Sequence, residues 1–469
     1  MAKPAAAALG AVLQPKANAV IQRSGTTGNV EVSIEATEKG RLFARVKREG
    51  GTLSKFDWRT IGQSNGTTAS GVIESLPVGG EYAIDFELRN GRGIVLGRAS
   101  VRGVLVGDLW ILGGQSNMDG YGKLVGTEPP SKSVHAFYYD DRWDIAVDPL
   151  CWHNEAIDSV HWPTADPVER KKAAQNDRFF RQQGAGLAIA FGKTIFKRTE
   201  VPVGLIACSH GGTSMEQWDP GKLELGGGSL YGSTIRRVQA VGGKVAGMLW
   251  YQGESDANKD ALPLYHKRMV NLVKSVRNDL GSPQMPFIYV QLGPFFTGPE
   301  LEVYWNGIQA DQLALEEELA PALMTTAVDL GVDDAIHIST QGQRRLGKRM
   351  AHLAEILAYG RTSLRKGPRP ASIRFADKNR TILRVHYSDV NMELIPKREV
   401  RGFWAKSEGT SLGILKQEVD PAQPDTVIVQ FAEPVPKKTQ FWYGIGMNPT
   451  VNLTDEADMA APVFGPVTI

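Results

Sequence analysis

The sequence predicts an α/β protein with a central, doubly wound parallel sheet of five strands, flanked by N- and C-terminal β-rich domains. Three observations carry this prediction. Apolar strands recur at Val104–Leu112, Val203–Cys208, Val245–Tyr251, Phe287–Leu292 and Leu323–Val328, and strands this apolar are buried on both faces. Helical periodicity fills the intervals, at Gly186–Lys197, Thr234–Ala240, Leu264–Asn278 and Trp305–Leu319. A last helix follows the fifth strand, where Thr340 and Gln343 read as a capping box. Outside this region the period changes to two. A chain of 469 residues is long for one domain, and the expected divisions are 1–103, 104–365 and 366–469.

Lys3, the alanine-rich run to Leu13 and Ala17-Asn18-Ala19 faintly imitate an export leader, which Gln14-Pro15-Lys16 interrupts early. If a leader has been removed, the protein is expected in the periplasm or outside the cell; otherwise it is expected in the cytoplasm. From about residue 20 to 103 the chain alternates, as in Val30–Ile34, Leu42–Val46 and Tyr82–Leu88. Asn65-Gly66 and Asn90-Gly91 supply turns between such strands. This is a small antiparallel domain with no chemistry of its own on show. Past the fifth strand and its helix, Arg365–Pro370 reads as a linker. Strands return at Thr381–Tyr387, Val427–Phe431 and Gln440–Tyr443, and the tail from Asn448 reads as loop.

Charge is balanced, with 53 basic and 51 acidic side chains and a net charge of +2. No nucleic-acid or membrane partner is therefore expected. No run reaches the roughly 18 apolar residues of a spanning helix. Cys151 and Cys208 are too few for a disulfide framework and read as free core thiols, with one bridge as the alternative. No metal-ligand spacing occurs among the eight histidines, so neither metal nor cofactor is implied. Nothing in the sequence fixes an oligomeric state.

The stretch Gly107–Gly120, GDLWILGGQSNMDG, is where chemistry concentrates. A buried strand ends in Gly113-Gly114 and delivers Ser116, and strand C-terminal ends are where ligands bind in open α/β sheets. Taken alone, the stretch also describes a strand, a turn and a helix N-cap serine. A serine nucleophile needs a base, usually a histidine held by a carboxylate. His337, in Asp333-Asp334-Ala335-Ile336-His337 after the fifth strand, is the best base. Asp334 can turn back onto its ring, with Asp333 as competitor for that role. His210 is a rival base with no carboxylate nearby in sequence. Strand two ends in Ser209-His210-Gly211-Gly212-Thr213, whose glycines permit close approach of a backbone N–H. Strand three ends in Gln252-Gly253-Glu254, where the Gln252 amide is a further candidate donor. There is no G-x-S-x-G, so the nucleophile elbow of the α/β-hydrolases is not indicated. Between Ser116 and the helix near Gly186 lies a long unpatterned connection, rich in aromatics, which is expected to fold over the serine.

Gly114-Gln115-Ser116-Asn117-Met118 resembles the first block of the SGNH hydrolases, in the form used by sialate O-acetylesterase-like carbohydrate esterases. Val201–Ile206 with Gly211-Gly212-Thr213 and Trp218 is similar to the second block, and Trp250–Glu254 to the third. Pro286-Phe287, Gln291-Leu292, Gln309, Asp329-Leu330-Gly331 and the Asp334/His337 pair follow in order. Val12-Leu13-Gln14 resembles the family's opening, and Asn452–Asp455 with Pro462 and Phe464 its closing, so the resemblance covers nearly the whole chain. It also implies that residues 12–14 belong to the fold.

The resemblance implies a flavodoxin-like SGNH sheet with Ser116 as nucleophile, His337 as base and Asp334 as its orienting acid. It implies an oxyanion hole from the Ser116 and Gly212 backbone N–H groups with the Gln252 side chain. Glu254, Gln115, Asn117 and Trp218 are expected to support these groups or to touch substrate. Departures from the family pattern are Gln252 where many members carry asparagine, Ile338 where relatives often carry proline, and a loose match over Gln341–Arg345. The implied activity is removal of acetyl groups from a carbohydrate, a sialate or an acetylated glycan such as xylan. Trp143, Trp152, Trp162 and Trp218 are candidates for stacking on sugars or, equally, for the core of the long connection. Two other readings stay open: a glycan-binding protein with an idle site, and a general short-chain esterase.

Overall fold

The computed structural model describes residues 8–469. The leader-like residues Lys3 to Ala7 lie outside them. Leu9–Gln14, which closes that run, is a strand paired antiparallel with Thr27–Ala36.

One strand joins the two halves of the main sheet. Val95–Gly114 is 20 residues long. Its first part pairs antiparallel with Gly79–Arg89, and its second part pairs parallel with Val203–Ala207 and Gly247–Tyr251. Along it, alternating exposure up to Gly103 gives way to unbroken burial from Val104 to Gly114. This is the change from a strand with one wet face to a strand covered on both. The N-terminal strands and the parallel strands consequently form one mixed sheet of 15 strands. The expected division after residue 103 falls inside a single strand.

The parallel part corrects the expected count of five. Its order is Val134–Phe137, Val203–Ala207, Val95–Gly114, Gly247–Tyr251, Phe287–Gln291 and Ala322–Thr326, six strands, and the three-residue Val20–Gln22 also pairs parallel with the start of the buried part of Val95–Gly114. Val134–Phe137 is only four residues long and carries a histidine, so it has little apolar signal. His135 is nonetheless fully buried, its Nδ1 2.7 Å from the Asn18 carbonyl. Helix Ala188–Thr199 packs on Thr340–Leu357 in one layer, and Leu262–Asp279 packs on Glu302–Glu318 in another. Ser339, not Thr340, caps the Thr340–Leu357 helix, accepting from the Gly342 N–H. Gln343 is therefore not the partner of a capping box and points elsewhere. No helix among the described residues is long and apolar enough to cross a membrane.

The C-terminal region holds two four-stranded antiparallel sheets around a core that includes Leu383, Val427, Phe441 and Phe464. The expected linker is not a free tether. Arg369 opens strand Arg369–Phe375, is 8% exposed, and forks onto Glu316 at 2.7 and 2.9 Å, with Lys366 at 2.9 Å. The tail is also more than loop. Val463 exchanges hydrogen bonds with the buried Gln291 side chain at 2.9 and 3.0 Å, and Phe464–Thr468 is a strand.

Burial pushes the Glu316 carboxyl up, but Arg369 and Lys366 outweigh it and hold the group at about 2. A depressed carboxylate contributes stability above its unfolded pKa of about 4.3 and loses it as pH falls toward 2. Glu316→Gln leaves Arg369 buried without a counter-charge, so it is expected to cost about 3–5 kcal/mol near neutral pH. Denaturant unfolding of both proteins checks this, and the difference should shrink between pH 4 and pH 2.

Candidate active site

The site is built where the Val95–Gly114 strand ends. Gly114 has φ +128, and a Cβ there would lie 2.1 Å from the Tyr251 carbonyl oxygen. Only glycine carries the strand into the next turn at that spacing. Ser116 then opens the helical turn Ser116–Asp119. As the first residue of that turn it has a backbone N–H with no carbonyl partner among the described residues. Gln115 ties the turn down, its N–H donating to Tyr251 O (2.9 Å) and its Oε1 accepting from the Ser255 N–H (3.3 Å).

His337 Nδ1 lies 2.7 Å from Asp334 Oδ2, while Asp334 Oδ1 accepts from the Ile336 and His337 N–H groups at 2.9 and 2.8 Å. Partial burial pushes the Asp334 carboxyl up, but the His337 ring and these two N–H groups hold it at about 2. Asp333 is turned away, accepting from the Lys123 and Thr340 N–H groups at 2.8 and 3.1 Å. The Tyr121 ring stacks on His337, centroids 4.5 Å apart at 23°.

Asn117 brings the two halves together. Its side chain donates to Ile336 O (3.3 Å) and accepts from the Ile338 N–H (2.9 Å), gripping the chain on either side of His337. Glu254 Oε1 accepts from the Asn117 amide at 2.9 Å, and Gln343 Nε2 donates to the Asn117 carbonyl at 3.0 Å. Burial pushes the Glu254 carboxyl up, against the Asn117 hydrogen bond that favours its charge. No hydrogen bond joins Ser116 to His337 among the described residues; the Asn117 clip sets their relation. Asn117→Ala is expected to lower kcat about 100-fold with a smaller change in KM, because small displacements of a base cost that much. Steady-state kinetics on a soluble aryl acetate would show it.

The Gly211–Thr213 turn lies against Ser116. A side chain at Gly211 would stand 3.6 Å from Ser116 Cβ and 3.3 Å from both Asp119 Oδ2 and the Tyr121 hydroxyl. Gly212 has φ +69, open space around its Cα and no partner for its N–H among the described residues. Gln252 departs from its expected place as a third donor. Its amide donates to Thr213 O at 3.1 Å and to Asp256 Oδ2 at 2.6 Å, so both hydrogens are engaged. It braces the glycine turn instead of presenting a free N–H.

Of the two roles open to Trp218, support or sugar contact, its surroundings fit support. It is 1% exposed, packs edge-on against Trp250 and donates from Nε1 to Thr213 Oγ1 at 3.0 Å, so it supports the turn and cannot meet a sugar. Trp143 and Trp152 are buried as well. Only Trp162 of the four lines the cleft of 980 Å³, with Tyr121, His153, Asn154, Arg181 and His210; the cleft meets the Ser116–His337 site through Tyr121, whose ring stacks on His337.

Two histidines of the long connection, His153 and His161, meet His210 here, beside the buried Asp119 carboxylate and the free thiol of Cys151. Cys208 is likewise free and buried. His161 Nδ1 and His210 Nδ1 are 2.9 Å apart, and the His153 and His210 rings stack at 4.6 Å and 5°. Parallel stacked rings cannot both aim in-plane lone pairs at one ion, so the trio does not form a zinc-type centre as it stands. His210 is paired with a second imidazole where a catalytic base would be paired with a carboxylate. Sequence spacing carries no sign of this cluster, nor of Tyr121.

A family model described as "Carbohydrate esterase, sialic acid-specific acetylesterase" matches residues 106–355. Among curated proteins, a probable carbohydrate esterase of Arabidopsis thaliana is 28% identical over 262 residues, 52% of this chain and 88% of that protein. Sialate O-acetylesterase of Homo sapiens is 24% identical over 327 residues, 62% of this chain and 61% of the human protein. A crystal structure of a carbohydrate acetylesterase from Xanthomonas citri superposes with TM-score 0.65 at 22% identity, over 97% of this chain and 99% of that one. That last similarity is one of fold.

Proposed function

The chain belongs to the carbohydrate esterase family of sialic acid-specific acetylesterases, and from that premise we propose that it deacetylates a glycan through an acetyl-serine formed on Ser116. It is a carboxylic ester hydrolase, and its family's chemistry is O-deacetylation of carbohydrate. The observation that carries the mechanism is the Asp334–His337 pair, held next to Ser116 by Asn117.

His337 Nε2 takes the Ser116 proton as Oγ attacks the acetyl carbonyl. The oxyanion is met by the Ser116 and Gly212 N–H groups, and Gln252 acts through Thr213 to hold that turn in place. Collapse breaks the ester C–O bond, and the sugar leaves as an alcohol with the proton from His337. Water then attacks the acetyl-serine with His337 as base, releasing acetate and restoring Ser116. Asp334 stays ionised and keeps the ring proton on Nδ1. Within this reading the parallel strands are an SGNH-type sheet with an added edge strand. Residues 104–365 are the catalytic unit, and the described residues 8–103 and 366–469 are packed around it.

Acetate release from acetylated glycans, set beside hydrolysis of aryl esters of rising acyl length, tests the activity. The expected result is free acetate from at least one acetylated glycan and a preference for acetyl over longer chains. Hydrolysis of short-chain aryl esters with no acetate released from any glycan would favour a general short-chain esterase. Glycan binding with no hydrolysis of any ester would favour the idle-site reading.

A further inference from the structure

The cleft that ends at Tyr121, the ring stacked on His337, is larger than an acetylated monosaccharide needs. At 980 Å³ it stands at the upper end of the roughly 300–1,000 Å³ typical of small-molecule sites. Its walls are formed for hydroxyl groups and a sugar face. Trp162 is fixed by its Nε1 bond to Ala156 O (2.8 Å) and by the Arg170 guanidinium 3.7 Å over its ring. The imidazole stack forms another part of the lining. His161 is locked by His210 and by Ser233 Oγ (3.3 Å), which itself donates to Asp158 at 2.7 Å. His153 Nε2 faces Ser209 O at 3.3 Å. His153 Nδ1 and His210 Nε2 have no protein partner among the described residues. Burial, and then the neighbouring rings, hold His161 well below the ordinary imidazole range and His210 at about 4, while the buried Asp119 carboxylate lies 3.6 Å from His153 Nε2.

Recognition of an acidic sugar asks for a guanidinium with a free fork. The cleft offers none with both arms free: Arg181 gives Nε to the Gln183 carbonyl and Nη1 to the Cys151 carbonyl at 2.8 and 2.6 Å, leaving Nη2, and Asp177 is tied to Asn154 at 2.8 Å. Lys123 is the remaining cation of the lining.

We propose that this cleft binds a neutral acetylated oligosaccharide several units long, with Trp162 as its stacking platform and the His153–His161–His210 wall reading its hydroxyl groups. The proposal rests on the esterase reading above and adds the substrate class to it. The sugar bearing the acetyl group sits at the Tyr121 end, and the chain runs past the imidazole wall to Trp162.

The test is kcat/KM on acetylated xylo- and manno-oligosaccharides of increasing length, on O-acetyl-N-acetylneuraminic acid and on an aryl acetate. We expect kcat/KM to rise about tenfold from the single sugar to the longer chains, the size of one good stacking contact. Trp162→Ala should lower the ratio of oligosaccharide to aryl acetate kcat/KM about tenfold, mainly through KM. Trp162→Phe keeps an aromatic face and should retain most of that ratio, which separates stacking from misfolding. A flat length series, an acetylated sialate preferred over every neutral chain, or an unchanged ratio in Trp162→Ala would overturn the proposal. Aryl acetate hydrolysis by the native protein tests the esterase reading separately. Its absence removes that reading, whereas a flat length series on an active enzyme removes the cleft assignment alone.

Discussion

Ser116→Ala is expected to lower kcat for acetate release by on the order of 10⁵–10⁶-fold, with the fold intact. The substitution removes one hydroxyl from a residue that is 7% exposed and opens a turn already held by Gln115 and Asn117. Nothing in the core loses a partner, so thermal unfolding should be nearly unchanged. His337→Ala should cost about as much, and the double variant no more than either single one. Attack and proton transfer form one step, so removing the second partner of a broken pair costs little further. The residual rate then reports the Ser116 and Gly212 N–H groups acting alone. Independent, additive losses in the double variant would mean that the two side chains do not work as a unit.

Asp334→Asn should lower kcat by about 10⁴-fold. Asparagine keeps the size of the side chain, and its carbonyl oxygen can still accept from the Ile336 and His337 N–H groups. What changes is the group facing His337 Nδ1. An amide N–H₂ in place of Asp334 Oδ2, 2.7 Å from the ring, favours the tautomer with its proton on Nε2, which cannot accept from serine. Asp333→Asn is the matched control. Asp333 accepts only from backbone and the Thr340 hydroxyl, so its loss should change kcat less than tenfold. A reversed order of the two effects would assign the orienting role to Asp333.

The strand that presents Ser116 is legible because an apolar run ends at glycines, and one of them, Gly114, is required by the Tyr251 carbonyl. The Asp334–His337 pair is legible because its geometry is local, three residues apart. The contacts that relate these two pieces are not. Asn117 reaches Ile338 across 221 residues of chain, and no spacing rule encodes that. Gln252 shows the converse failure. Its position at a strand end suits an oxyanion donor, yet the sequence cannot show that Thr213 and Asp256 take both amide hydrogens. Trp218 reads equally as a sugar platform or as core from sequence, and only its burial separates the two. Helix Pro167–Phe180 in the long connection buries none of its residues, so it lacks an apolar stripe. Its start was nonetheless written in Asp166-Pro167, a capping aspartate before a first-turn proline. The linker-like run before Arg369 misleads for a physical reason. Its proline and glycine suit an exposed tether, but one buried ion pair to Glu316 fastens it.

The central claim is that Ser116 carries the acyl group, and it is tested most directly by quenching the enzyme during turnover of an aryl acetate and mapping acetylated peptides by mass spectrometry. The account predicts one acetyl group on the peptide containing Ser116, gone after chase without substrate and absent from Ser116→Ala. Continued acetate release by Ser116→Ala, or an acetyl group accumulating on another residue at the turnover rate, would contradict it.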